Sequence, residues 1–142
     1  MNLVKHMRRG AVAVLVAVLP LLAVGQEYPV KTVKVIVPQA PGAGTDLIAR
    51  VIINKLADKW KQAIVVENKA GANGVIGSQQ LVTSAPDGYT LLIQGATHVT
   101  NPFAQKDLPY DTLKSFTPLG LIATSPYVLA ASPQSNSMNL QQ

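Results

Sequence analysis

One strand, helix and strand segment constrains the fold of this sequence more than any other feature. The β-branched run Val33–Val37 is typical of a buried strand. After a glycine-rich turn, apolar residues recur at three- and four-residue spacing, which predicts a helix over 46–60. A second β-branched run predicts a strand over 64–67. This order favours parallel strands joined by a crossover helix.

The chain after residue 67 continues the same alternation. We predict a second helix that ends near Ser84, a turn over 85–88 and a third strand over 89–93. The stretch 95–110 is predicted to be a loop with one short helical turn, and two strand-like runs follow at 119–124 and 127–131. Together these elements predict an α/β fold with a mainly parallel sheet and flanking helices.

The first 25 residues have the pattern of a targeting segment. Lys5, Arg8 and Arg9 precede an apolar run over 11–24, and small residues end it at Gly25. This predicts a Sec-type signal peptide cleaved after Gly25, and therefore a periplasmic protein. As a helix the apolar run would span about 21 Å, which is short of the roughly 30 Å hydrocarbon core, so a signal is favoured over a membrane anchor.

Composition excludes several classes of protein. The chain is 48% hydrophobic and 13% charged, which is incompatible with wholesale disorder. It has no cysteine, so disulfides, thiolate metal sites and a cysteine nucleophile are excluded. The net charge is +5, and 3 of the 12 basic residues but none of the 7 acidic residues lie in the targeting segment. The remainder therefore has 9 basic and 7 acidic residues, a net charge of +2. Without a basic and aromatic strip, the chain is not expected to bind nucleic acid.

Two loops could carry binding chemistry. The glycine-rich turn PGAGTD after the first strand would place an anion at the positive end of the first helix, where Thr45 is the predicted N-cap, although the glycines could equally serve only a tight turn. The loop after the third strand offers hydroxyls and amides suited to a carboxylate, and in such a sheet it can emerge beside the first loop. The alternative for His98 is a side chain satisfied by local backbone groups.

Enzymatic arrangements are weak in this sequence. His98 is the single histidine after the targeting segment, and there is no GxSxG motif and no phosphate-binding GxxxxGK[ST] motif. Each acidic residue has a capping, turn or surface explanation. We therefore expect no enzyme, no metal and no cofactor, while a small secreted α/β enzyme acting on an anionic substrate remains an alternative.

Five ordered motifs carry a family resemblance: YPVKTVKVIVPQAPGAGTDLIAR, VVENKAGANGVIG, APDGYTLL, THVTNP and LPYDTLKSFTPLGLIATSPYVL. Over 28–133 the chain resembles the tripartite tricarboxylate transporter substrate-binding proteins, the Bug-type periplasmic receptors. The resemblance implies a periplasmic binding protein type II-like, Venus-flytrap receptor that captures small carboxylates such as di- and tricarboxylates. It also implies membrane permease subunits as partners. Its implied ligand-binding residues are Gly42, Ala43, Gly44, Thr45, Asp46, Thr97, His98 and Asn101.

The resemblance also sets the expected domain organisation. We expect a signal peptide at 1–25, an incomplete N-terminal lobe at 26–131 and a polar tail at 132–142, with the second lobe missing. Such a truncated form is expected to bind its ligand weakly or not at all, and a non-functional truncated product is a further alternative. The sequence departs from the family where Ala43 and Asn73 replace frequent glycines and where Gln39 replaces a frequent aromatic residue.

Overall fold

The computed structural model describes residues 27–132 and residue 134. The predicted signal peptide and most of the polar tail lie outside the described residues. The described chain contains three strands, three α-helices and one 3-10 turn. In chain order these are β1 (Val33–Val37), α1 (Gly44–Trp60), β2 (Ile64–Asn68), the 3-10 turn Ala72–Gly74, α2 (Val75–Val82), β3 (Thr90–Leu92) and α3 (Thr97–Ala104).

The three strands form one parallel sheet in the order β2-β1-β3. Val35 in the central strand pairs with Val66 on one side and with Leu91 on the other. The predicted α/β fold with a parallel sheet and flanking helices is confirmed. Because all strands run the same way, their carboxyl ends lie at one edge of the sheet.

The core lies on the central strand. Val33, Val35 and Val37 point to one face and are packed with Ala49 and Ile53 of α1, and all five are buried. Ile36 points to the opposite face by strand alternation and is also fully buried. Burial on both faces explains the continuous β-branched run Val35–Val37, whereas Lys34 near the start of the strand is exposed.

The second helix packs very closely against the end of β1. It contacts β1 and β3, and a Cβ atom added at Gly77 would lie 2.7 Å from the Cβ atom of Pro38 and 3.1 Å from the carbonyl oxygen of Lys69. Only glycine therefore allows this approach. The contact fixes Pro38, the first residue of the turn that joins β1 to α1.

Several element boundaries differ from the sequence prediction, and β3 (Thr90–Leu92) is one residue shorter at each end than the strand predicted over 89–93. The first helix begins at Gly44 rather than near Asp46, and its N-cap is Ala43 in an extended conformation. The predicted N-cap role of Thr45 is wrong because Thr45 is already the second helical residue, and no side chain caps this helix. The second strand extends by one residue to Asn68.

The stretch predicted to be a loop with one short helical turn contains a longer helix. α3 spans eight residues and includes Pro102. Proline lacks an N–H group and normally disfavours a helix interior, so local sequence preference does not signal a helix of this length. The fully buried side chain of Asn101 holds this helix against the 3-10 turn.

The two strands predicted at 119–124 and 127–131 are wrong. The described residues after 116 form no helix or strand, and their large apolar side chains are exposed, as with Leu121 at 84% and Tyr127 at 91%. An apolar run becomes a strand only when a neighbouring strand and a packing surface accept it. Neither is present for this segment among the described residues.

None of the helices in the described part of the chain has the length and hydrophobicity needed to span a membrane.

We expect Gly77→Ala to lower the free energy of unfolding by about 1–3 kcal/mol, because the new methyl group would overlap Pro38. Urea denaturation followed by circular dichroism would measure the change. Gly120→Ala is the matched control, since nothing lies within 4 Å of a Cβ atom there. An equal response of the two variants would contradict the packing described for α2.

Candidate functional site

The two loops singled out in the sequence lie side by side at the carboxyl edge of the sheet. The first joins β1 to α1, and the second joins β3 to α3. A Cβ atom added at Gly95 would lie 3.5 Å from the hydroxyl oxygen of Thr45. The beginning of α1 and the loop before α3 are therefore in direct proximity, at the edge where open parallel sheets collect ligands.

The first turn of α1 presents backbone donors. Within the described residues, the N–H groups of Gly44, Thr45 and Asp46 have no hydrogen-bond acceptor, as expected for the start of a helix. Gly42 adopts a φ of +81°, which glycine accommodates without strain. Nothing lies within 4 Å of a Cβ atom at Gly42 or Gly44, so the space in front of this turn is open. The helix dipole adds a partial positive charge there.

The carboxylate of Asp46 is turned away from this open space and is 1% exposed. Its Oδ2 accepts hydrogen bonds from Arg50 Nε at 2.9 Å and from the N–H of Gly42 at 2.8 Å. Its Oδ1 accepts one from Asn68 Nδ2 at 2.9 Å. The bonds from Arg50, Asn68 and Gly42 hold the pKa of Asp46 well below its usual range.

Asn68 connects this carboxylate to the loop in a second way. Its Nδ2 also donates to the carbonyl oxygen of Gln39 at 3.1 Å, and its Oδ1 accepts from Arg50 Nη2 at 3.1 Å. Asp46, Arg50 and Asn68 thus tie the turn after β1 to the end of β2. In this arrangement Asp46 supports the loop, and its two oxygens are already bonded within the chain.

The second loop is held by a chain of polar side chains. Ser78, fully buried in α2, donates to Gln94 Oε1 at 2.7 Å or to the carbonyl oxygen of Gly74 at 2.9 Å. Gln94 Nε2 in turn donates to the hydroxyl of Thr97 at 3.3 Å. Thr97 is therefore positioned at the first residue of α3, with its hydroxyl beside the loop.

Asn101 lies behind the second loop rather than in front of it. Its side chain is fully buried, and its Oδ1 accepts a hydrogen bond from Asn73 Nδ2 at 2.7 Å. Its own Nδ2 donates to the carbonyl oxygen of Asn73 at 3.1 Å. Both ends of the Asn101 amide are thus occupied by one residue of the 3-10 turn.

His98 faces an aromatic cluster. Its ring meets Phe116 edge-on with a centroid separation of 4.8 Å, and Phe116 meets Tyr110 in the same way at 5.3 Å. The Nδ1 atom of His98 is buried without a hydrogen-bond partner, so local backbone groups do not satisfy that nitrogen. The imidazole thus packs against Phe116, which follows α3 in the chain. The backbone N–H of His98 donates a hydrogen bond to the carbonyl oxygen of Gly95.

Several supporting residues were missed in the sequence. The spacing of Asp46 and Arg50 is the i, i+4 spacing of a helical ion pair and could have indicated their contact. Asn68 is a polar residue directly at the carboxyl end of a strand, which is also a usable signal. Ser78 carries no such signal, because its burial arises only from the close packing of α2. The described residues contain no cluster of three or more His, Asp or Glu side chains that could hold a metal ion.

We expect Asp46→Asn to destabilise the chain at neutral pH for two reasons. The amide oxygen could accept from Arg50 and Gly42 only as a neutral group, and the amide nitrogen would face the Asn68 Nδ2 donor instead of accepting from it. A carboxylate whose pKa is lowered by folding contributes stability that is fully present above the ordinary aspartate pKa of 3.8. That contribution is lost as the pH falls from there through the lowered pKa of the folded state. Urea denaturation at a series of pH values would measure the difference between the two proteins.

The gap between wild type and Asp46→Asn should therefore shrink below about pH 4 and be constant between about pH 5 and 7. Asp58→Asn is the control, since Asp58 is an exposed residue of the same helix. A gap that stays unchanged down to pH 2 would contradict the role given to the Asp46 carboxylate.

Comparison with known families gives a match over most of the chain. The family model described as "Tripartite tricarboxylate transporter family receptor" matches residues 48–142. Among curated proteins, Protein BugT from Bordetella pertussis is 38% identical over 112 residues, which cover 75% of this chain and 33% of BugT. The chain thus spans about a third of the length of the curated relatives it matches.

Solved structures give the same picture. MatC from Rhodopseudomonas palustris, solved with bound malate, is similar with a TM-score of 0.63 and 39% identity, covering 67% of this chain and 33% of MatC. The periplasmic binding protein BugD is similar with a TM-score of 0.61 and 38% identity, covering 64% of this chain and 30% of BugD. The described α/β unit therefore corresponds to part of a periplasmic binding protein.

Proposed function

The chain belongs to the tripartite tricarboxylate transporter receptor family, and from this we propose that it binds a small carboxylate at the carboxyl edge of its sheet. The observation that carries the proposal is the first turn of α1, whose N–H groups face open space beside the second loop. An oriented set of backbone donors at a helix N-terminus is suited to an anion.

In the proposed complex, one ligand carboxylate accepts hydrogen bonds from the N–H groups of Gly44 and Thr45. In this proposal the hydroxyl of Thr45 adds a contact to the same carboxylate, and the hydroxyl of Thr97 contacts a second polar group of the ligand from the other loop. Gly42 and Ala43 form the wall of the site. Asp46 does not repel the anion strongly, because Arg50 bonds to its carboxylate at 2.9 Å and compensates its charge. Asp46, Asn101 and the backbone of His98 support the loops.

The proposed ligand class is a small carboxylic acid of the di- or tricarboxylate type. The malate in the MatC structure supports this class, since that protein is 39% identical to this chain. We further propose that the chain acts in the periplasm after removal of 1–25 and delivers its ligand to membrane permease subunits of a tripartite tricarboxylate-type transporter. The proposal includes binding and release without chemical change, in line with the receptors and binding proteins it resembles.

We expect this chain to bind malate with a dissociation constant on the order of 1 mM or weaker. The reason is that the described residues contact the ligand from one side, through two loops of one sheet edge. Titration of the full chain, expressed with its own N-terminal segment, would be followed by NMR. Saturable shifts at the Gly44, Thr45 and Thr97 amides are expected.

Dimethyl malate, which lacks the charge, is the control ligand and should cause no such shifts. Shifts at other residues only, or equal shifts with the ester, would contradict the proposed site. A micromolar dissociation constant would overturn the expectation of weak binding. Consumption of malate during the titration would instead favour an enzyme, and failure to protect the amides of β1 and β3 from hydrogen exchange would favour a non-functional product.

Gly44→Pro gives a sharper test of the backbone donors. Proline is well tolerated at the first helical position, and Ala43 already has the extended conformation that the residue before proline prefers. We therefore expect unchanged or higher stability together with about tenfold weaker malate binding, because one N–H donor to a charged group is removed.

Gly44→Ala is the matched control, since it keeps the N–H and nothing lies within 4 Å of the added Cβ atom. It should bind malate as the wild type does. Both affinities would be measured by the same NMR titration. Equal affinities of the proline and alanine variants would contradict binding through the N–H of Gly44.

A further inference from the structure

The 3-10 turn Ala72–Gly74 supports the second loop although it belongs to neither binding loop. Among the helices and strands, α3 makes its main contact with this turn. The contact is made by polar groups: Asn73 and Asn101 exchange two hydrogen bonds. Gln105 Nε2 adds a longer one to the carbonyl oxygen of Ala72 at 3.4 Å. The position of α3 therefore depends on a few identifiable bonds.

The amide of Asn101 cannot be buried without these bonds. It is fully buried, and a buried primary amide is costly unless both its oxygen and its nitrogen have partners. Asn73 supplies both, through its side-chain Nδ2 and its own carbonyl oxygen. Loss of the Asn73 side chain would leave the Oδ1 atom of Asn101 without its 2.7 Å donor.

The backbone at Asn73 does not by itself require asparagine. Its φ of +55° and ψ of +34° lie in the left-handed region, where glycine is favoured and asparagine is tolerated. Glycine would therefore fit the turn at least as well. What asparagine adds at this position is the side-chain amide that reaches α3.

The same turn also contacts the other support of the second loop. Ser78 contacts the carbonyl oxygen of Gly74, and a Cβ atom added at Gly74 would lie 2.9 Å from Gln94 Nε2. The polar chain from Ser78 through Gln94 to Thr97 thus passes over the turn. Both supports of the loop that precedes α3 meet at 72–74.

We propose that Asn73 is a positioning residue for carboxylate binding, whose amide pair with Asn101 sets the distance of Thr97 and its loop from the first turn of α1. This inference rests on the proposed function and deepens it by giving a role in binding to a residue outside both loops. It concerns ligands long enough to contact both loops at once. The affinity for a ligand that reaches only the α1 turn should not depend on Asn73.

The test compares the full chain with Asn73→Gly and Asn73→Asp, using Asn54→Ala as the control on an exposed face of α1. Glycine keeps the backbone conformation and removes the amide, while aspartate keeps the side-chain shape and removes the donor. Hydrogen exchange is measured first, without any ligand. We expect the amide of Gln105, which bonds to the carbonyl oxygen of Asn101, to exchange about twofold to tenfold faster in both Asn73 variants.

The amides of Val33 and Lys69, which bond within the sheet region, should exchange at the wild-type rate. Malate and acetate are then titrated by NMR. We expect the malate dissociation constant to rise about fivefold in the Asn73 variants. The acetate dissociation constant should change less than twofold, because acetate can contact only the α1 turn. A general loss of structure would weaken the binding of both malate and acetate.

The outcomes distinguish a failure of the proposed function from a failure of the proposed role of Asn73. If the wild type shows no localised response to malate, the proposed function is overturned, and the binding role of Asn73 with it. If the wild type responds and the variants bind malate equally well, the positioning role alone is overturned. Parallel weakening of malate and acetate, or unchanged exchange at Gln105, would also overturn the positioning role.

Discussion

The buried carboxylate of Asp46 is the interaction on which the candidate site depends most. It joins the turn after β1, the first turns of α1 and the end of β2 through Gly42, Arg50 and Asn68. A buried ion requires this number of partners, because each unbonded lone pair would carry a desolvation cost. The same bonds leave the N–H groups at the start of α1 facing outward. The orientation of these N–H donors therefore depends on the hydrogen bonds that compensate the charge of Asp46.

The second loop is organised on the same principle with neutral groups. Ser78, Gln94 and Thr97 form one polar chain, and Asn73 and Asn101 form a reciprocal pair. Ser78 and Asn101 are fully buried. Satisfied buried polar networks favour a single arrangement of the groups they join. Each loop is therefore held by side chains that lie behind its exposed surface.

Much of this architecture could be predicted from the sequence, because its signals are local. The β-branched run of β1 and the apolar periodicity of α1 predicted a parallel α/β unit, and the glycine-rich turn predicted where an anion could bind. The supports could not be predicted in the same way, since Ser78 and Asn73 act through residues 16 and 28 positions away. The strands predicted after residue 118 failed for a related reason: a strand depends on a partner that its own sequence does not contain.

The reciprocal amide pair also has a consequence for the entropy of the proposed binding. Bonds within the chain immobilise both loops during folding, so that part of the conformational entropy is already lost before a ligand arrives. A ligand that binds to such loops restricts few additional torsions of the protein. More of the free energy of its contacts therefore contributes to affinity. For the proposed binding, selectivity among carboxylates would then depend on fixed distances between donors, and loss of the Asn73 side chain would make those distances variable.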